Sequence, residues 1–298
     1  MTIASAIPYA SRRRATLLGV VAIVLWSSLA LMALFTAELP PFEVLAISFG
    51  IGGLCGIGML AVRGAGSLNT LRQPWAAFAL TVTALFGYHA LYFFAFRHAP
   101  AVEVNLINYL WPLLIVVFAA CLPGVRLRAG QIVGTALGLV GVVFMVMRGE
   151  GLAFDPAHLQ GYLAAFLAAV TWAAYSVLNR RFHAVPSAAI AGSCMVVGLL
   201  AAVVHAVFET TLMPTTSQWC VLALMGVGPV GIAFWLWDHG TKHGDIAVLG
   251  TLAYAAPLLS TLLLLISGRV EPHAGQAIAV ALLIVGAWLS MRTSRVAG

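Results

Sequence analysis

Ten runs of about twenty apolar residues dominate this sequence and leave it few ways to fold. They fall near 15–36, 42–62, 75–96, 100–121, 129–148, 160–179, 188–208, 219–238, 246–266 and 274–291. The joints carry residues that interrupt helices: Pro40-Pro41, Gly64 and Gly66, Pro100, Pro123-Gly124, Gly149 and Gly151, Pro186, Pro214 and Pro272. A helix needs about 20 apolar residues to cross a bilayer core, so each run is long enough to span. Only 8% of the 298 residues are charged, against about 25% in a soluble domain. That is too little polar surface to solvate a globule, and the solvent must be lipid. The sequence predicts an all-α membrane protein of ten transmembrane helices.

Charge placement predicts the orientation. With both termini cytoplasmic, Arg12, Arg13, Arg14, Arg63, Arg72, Arg126, Arg128, Arg180, Arg181, Lys242, Arg292 and Arg295 lie inside, and Arg97, Arg148 and Arg269 outside. That is 12 basic residues against 3, and it accounts for all 15. Short loops with such a bias fix orientation. The same scatter over many loops makes the pI near 9.5 a topology signal, with no nucleic-acid partner implied. The first run is too long for a signal-peptide core and reads as a retained helix. Cys55, Cys121, Cys194 and Cys220 show no metal-ligand spacing and read as small buried apolar residues. Neither a metal nor a cofactor is expected.

The chain also resembles itself at an offset of 145 residues. HAPAVEVNLINYLWPLL begins at His98 and HGDIAVLGTLAYAAPLL at His243, so that Tyr109 matches Tyr254 and Pro112 matches Pro257. Gly130-Gln131 matches Gly275-Gln276, and Gly141 matches Gly286. The first and sixth runs match weakly, through Trp26 and Trp172. A unit with an odd number of spans must insert its second copy upside down. The expected organisation is a tail at 1–14, a first repeat at 15–148 and a second at 149–298, as two inverted five-helix repeats. Inverted repeats recur in alternating-access transporters, with the site at the midplane between them.

With ten spans, cytoplasmic ends and a proline-kinked fourth helix in each half, the chain resembles the drug/metabolite transporter superfamily and its two-domain EamA-type exporters. Within these it is similar to bacterial aromatic amino-acid exporters through GYHALYFFAFRHAP (87–100) and NLINYLWP (105–112). The resemblance implies an inner-membrane location, export of amino acids or other small metabolites, a cavity between the halves, and peripheral fifth and tenth helices. One departure matters: residues 15–36 hold no carboxylate, unlike the first helix of the small multidrug members. That argues against proton-coupled export of cationic drugs.

The residues themselves point to a site. Pro112 and Pro257 lack an N–H and clash with the carbonyl four residues back, so the carbonyls of Asn108 and Ala253 are expected to be freed. Free backbone at membrane depth belongs where it is buried in protein or lines a wet cavity; a kink satisfied by neighbouring helices is the competing account. Asn105, Asn108 and Pro112 share a helix face, flanked by Tyr109 and Trp111. Trp111 has a lipid-facing alternative. Tyr88, Tyr92 and Phe96 form a stripe on the third helix, which packing alone would also explain. Trp172 and Tyr175 share a face of the sixth helix; Trp235 sits on the eighth, beside a bend suggested by Gly226, Gly228, Pro229 and Gly231. Gly130, Gly134 and Gly138 read as close packing.

The expected substrate-binding residues are therefore Tyr88, Tyr92, Asn108, Tyr109, Trp111, Pro112, Trp172, Tyr175, Trp235, Tyr254 and Pro257. His89 is the one ionisable residue expected at mid-span, with Asp238 and Lys242 placed at the inner end of the eighth helix. A cavity of rings, amides and carbonyls suits hydrophobic, especially aromatic, amino acids as the small-molecule partner. A broad metabolite exporter and a passive channel remain alternatives. A nucleotide-sugar carrier is disfavoured, because phosphates call for mid-span Lys or Arg. No nucleophile and base stand in a recognisable motif, so no enzyme is expected. A reporter fused after Arg148 should be active in the periplasm and one after Arg181 in the cytoplasm; the reverse pattern would overturn the orientation.

Overall fold

The computed structural model describes residues 9–122, 127–147, 155–269, 271 and 274–295. The expected breakers at 123–124, 149–151 and 272, with Arg126 and Arg148, lie outside them. Among the described residues, ten helical segments are long and apolar enough to cross a membrane: Ala10–Phe35, Pro41–Val62, Trp75–His98, Ala101–Ala119, Ala129–Val146, Pro156–Phe182, Ser187–Phe208, Thr216–His243, Ile246–Ile266 and Ala274–Arg292. They are called the first to tenth spans below. Helix begins at Tyr9, so part of the expected tail continues the first span.

The pairing of spans is unchanged when the halves are exchanged. The first span packs along the eighth and the sixth along the third, while the second meets the seventh and the fifth meets the tenth. Individual glycines repeat the pattern. A Cβ on Gly53 would stand 2.7 Å from the Met195 nitrogen, and one on Gly198 would stand 2.8 Å from the Gly50 nitrogen. Adding 145 turns the first contact into the second. Gly134 against Gly286 and Gly141 against Ala279 are related in the same way, as are Gly161 against Ala99 and Gly244 against Thr16. Contacts in which i meets j and j meets i define a two-fold relation. With five spans in each half, its axis lies in the membrane plane.

Small residues make these approaches possible. Lipid offers no hydrophobic drive between helices, so close van der Waals packing must hold them. At the crossing of the fifth and tenth spans, a Cβ on either Gly134 or Gly286 would strike the partner's backbone oxygen. Of the cysteines only Cys194 is buried; Cys55, Cys121 and Cys220 are exposed on apolar spans, where lipid suits a small thiol as well as a core does.

Four spans depart from a continuous α-helix, each for a visible reason. In the first, Ser27 and Ser28 donate to the carbonyls of Val24 and Leu25 at 2.6 and 2.7 Å, and such back-bonding bends helices. The fourth divides into Ala101–Asn108 and Trp111–Ala119, and the ninth into Ile246–Leu252 and Ala255–Ile266. The expected free carbonyl of Ala253 is not free: it accepts the Ala256 N–H at 3.0 Å. A tighter i to i+3 bond takes over what the proline removes. In the eighth span, Gly226–Ile232 forms a π-helix around Pro229.

Leucine at Gly134 or Gly286 should overpack the fifth–tenth contact by about 1–3 kcal/mol or more. Gly58→Ala, where a Cβ meets nothing within 4 Å, should be neutral or slightly stabilising. Thermal unfolding in detergent checks both; equal midpoints for all three variants would contradict the packing.

Candidate functional site

A cavity of ≈ 470 Å³ lies between the halves. Its walls come from Leu29, Ala30 and Ala33 of the first span, the ring stripe of the third, Asn105, Asn108, Tyr109 and Trp111 of the fourth, and Ala256, Pro257 and Ser260 of the ninth. These positions lie at mid-span or in the half remote from where the first helix begins. The bend in the first span helps shape the cavity, since Leu29, Ala30 and Ala33 follow it directly. Among the described lining residues there is no Asp, Glu, Lys or Arg.

Two tyrosine–asparagine pairs join the third and fourth spans. Tyr92 donates its hydroxyl to Asn105 Oδ1 at 2.6 Å, and Asn108 Nδ2 donates to the Tyr88 hydroxyl at 3.0 Å. Asn105 is itself fixed by donating to the Ala101 carbonyl at 2.8 Å. Tyr88 and Tyr92 stack with centroids 5.7 Å apart, and Tyr92 meets Phe96 edge-on at 4.6 Å. The stripe is therefore a wall whose polar tips are tied down. Asn108 is buried and its Oδ1 has no hydrogen-bond partner among the described residues. His89 donates from Nδ1 to the Leu85 carbonyl at 2.7 Å, a bond that requires the proton on that nitrogen.

Tryptophans form the floor. Trp26 meets Trp172 at 5.5 Å and Trp237 at 5.1 Å, and Trp111 stands edge-on to Trp237 at 6.0 Å. Trp26 also donates its indole N–H to the Pro229 carbonyl inside the π-helix at 2.9 Å. Trp237 donates to Ser176 at 3.1 Å. Below the floor, toward the side where the chain begins, polar groups lock the bundle. Asp238 and Lys242 form an ion pair at 2.9 Å, both side chains 4% exposed. Asn179 donates to Asp238 at 2.9 Å, and Lys242 to the Val185 carbonyl at 3.1 Å. Arg180 donates to the carbonyls of Thr241 and Gly244, and Arg12 pairs with Asp245 at 2.9 Å.

Of the eleven residues expected at the site, seven line the cavity: Tyr88, Tyr92, Asn108, Tyr109, Trp111, Trp172 and Pro257. Pro112 is buried beside it, its carbonyl 3.1 Å from where a Cβ on Gly250 would stand. Tyr175 is buried behind Trp172, ring to ring at 5.4 Å. Tyr254 is fully buried because Gly138 leaves room for its ring, 2.5 Å from a would-be Cβ. At the position matching Gly138 stands Leu283, so Tyr109 has no such slot and stays at the cavity. Trp235 is 41% exposed and faces away from the floor. Two residues turn a helix by about 200°, so Trp235 and Trp237 point to nearly opposite sides.

The sequence reading missed Trp26, Trp237 and Phe234 as floor residues. The repeat held the signal: Trp237 lies 145 residues after Tyr92, and Phe234 the same distance after His89. Asp238 and Lys242 stand at the inner end of the eighth span, as expected, in the last turns before it ends at His243. Mutual neutralisation lets the pair be buried there.

Asp238→Ala should destabilise the protein by about 3–5 kcal/mol, because it strands a buried ammonium. Replacing both partners, as Asp238→Leu with Lys242→Met, should recover most of that loss. Thermal unfolding of the single and double variants tests this, and additive losses would mean the two do not interact.

A family model described as the EamA-like transporter family matches residues 13–147 and 159–292. The aromatic amino acid exporter YddG of Ancylobacter novellus is 48% identical over 286 residues, 96% of this chain and 99% of that protein. The protein of the same name from Escherichia coli K12 is 27% identical over 268 residues, covering 85% of this chain and 88% of its own. A solved crystal structure, 46% identical, superposes with a TM-score of 0.92 over 97% of this chain and 100% of its own.

Proposed function

Since this chain belongs to the EamA-like transporter family, we propose that it exports aromatic and other hydrophobic amino acids by alternating access through the central cavity. The observation that carries this reading is an uncharged, ring-walled cavity of ≈ 470 Å³ with a few fixed polar tips. Pockets of about 300–1,000 Å³ enclose small organic ligands. Stacking on Tyr88, Trp111 and Trp172 holds the side chain of the cargo. The Tyr88 hydroxyl accepts from Asn108 Nδ2 and keeps its own proton, which it donates to the carboxylate of the cargo. The two relatives named as aromatic amino acid exporters support the same cargo. Among the described residues no Lys or Arg lines the cavity to hold phosphates, which argues against nucleotide sugars. The reading involves movement without a chemical step.

The arginine bias supports a cytoplasmic position for the lock, which makes the cavity outward-facing and its tryptophan floor the closed inner gate. The inward-open state then follows from exchanging the roles of the halves. Tyr92 and Trp237 are repeat counterparts, one at the cavity and the other fully buried. In the exchanged state Trp237 faces the cavity, Tyr92 is covered, and the Asp238 region loosens. The first repeat corresponds to the first five spans and the second to the last five.

Proteoliposome counterflow with labelled Trp, Phe, Tyr, Thr, Met and Lys tests the cargo. Saturable exchange of the aromatic substrates, exclusion of Lys and little response to a pH gradient are expected. Exchange driven by inward acidity would overturn the uncoupled mechanism. Trp111→Ala and Tyr88→Ala should each weaken binding by about 0.5–1.5 kcal/mol, or about two- to twelvefold. Unchanged rates in both would remove these rings from the path.

A further inference from the structure

A second hollow lies on the flank of the bundle, away from the central cavity. The second, seventh and eighth spans form it, with Gly52, Cys55, Met59, Cys194, Ile232 and Trp235 among its walls. Among its described lining residues the one charged side chain is Arg63, at the end of the second span. We propose that this groove binds a single anionic phospholipid, one acyl chain in the groove and the phosphate on Arg63.

Dimensions, charge and surface chemistry each point there. Gly52 to Arg63 is eleven helical residues, which at about 1.5 Å each is about 16 Å. That is half of a hydrocarbon core about 30 Å thick, the depth one acyl chain reaches from its headgroup. The groove therefore runs from the midplane to one interface, and Arg63 stands where a headgroup would lie. No carboxylate forms an ion pair with Arg63 among the described residues. A guanidinium is suited to bidentate hydrogen bonds with phosphate, whereas the ammonium of a phosphatidylethanolamine would oppose it. The groove accounts for Trp235, a large ring turned away from the transport site on a mid-membrane surface.

The groove has shape because of its neighbours. Gly52 and Gly56 keep one wall low, and the π-helix Gly226–Ile232 supplies part of the facing wall. Gly52 already packs against this segment, a would-be Cβ standing 2.8 Å from the Gly226 carbonyl. A bound chain would extend that contact toward the interface and brace the eighth span against the second and seventh.

The test is native mass spectrometry of the full chain released from nanodiscs of equal phosphatidylglycerol and phosphatidylethanolamine. One retained phosphatidylglycerol per chain is expected, preferred by about fivefold. Arg63→Gln should abolish the headgroup preference, Cys55→Trp should fill the groove and lower retention of both lipids, and Arg72→Gln should change neither. Equal retention of the two lipids by the unaltered protein would overturn the proposal. So would a preference that survives both Arg63→Gln and Cys55→Trp, or one that Arg72→Gln removes equally. Unfolding midpoints in detergent confirm that each variant compared is folded.

Discussion

Everything in this protein is subject to one constraint: in hydrocarbon, a backbone N–H or C=O without an internal partner costs several kcal/mol. Helices satisfy it automatically, and a break in a helix must be mended locally or hidden. The chain does both. At the ninth-span bend, the Ala253 carbonyl moves to a tighter bond with Ala256. In the eighth span, the Pro229 carbonyl within the π-helix accepts the indole N–H of Trp26. That bond ties a floor tryptophan to the eighth span. The bends leave room for a cavity, and the repairs keep its lining folded.

The same chemistry divides polar from apolar work. Around the cavity, polar groups are few, neutral and mutually bonded, as in the Tyr92–Asn105 and Tyr88–Asn108 pairs. Full charges lie below the floor, where Asp238 and Lys242 neutralise each other. A buried ion pair contributes little net stability, but breaking it is expensive. Such a pair suits a contact that holds one arrangement firmly yet can be exchanged for another as a unit. Rings provide the remaining closure, because Trp26, Trp111, Trp172 and Trp237 cover area without charge.

Much of this was legible from residues in order. The spans at 42–62 and 246–266 fell within a residue of their observed bounds, since apolar length and breakers fix both. Seven of the expected site residues reached the cavity because a helix face is periodic and Asn105, Asn108 and Tyr109 share one neighbourhood. Rotation about a helix axis was harder to read in a span apolar all round. Trp235 and Trp237 look alike in sequence, and only packing distinguishes the ring on the floor from the ring on the flank. Tyr254 and Tyr109 match across the repeat, yet Gly138 and Leu283 send them to different places.

The sequence by itself determined the solvent, the number of crossings and the duplication, because these depend on composition, run length and a fixed offset along the chain. The tertiary structure decided which side of the duplication is open and which is shut. Two halves with matching patterns can both close or both open as far as one-dimensional information goes. Contacts between residues far apart in the chain break the tie: Trp26 with Pro229, Asn179 with Asp238, and Lys242 with Val185. Those contacts depend on side-chain shape at particular crossings, which no local pattern encodes.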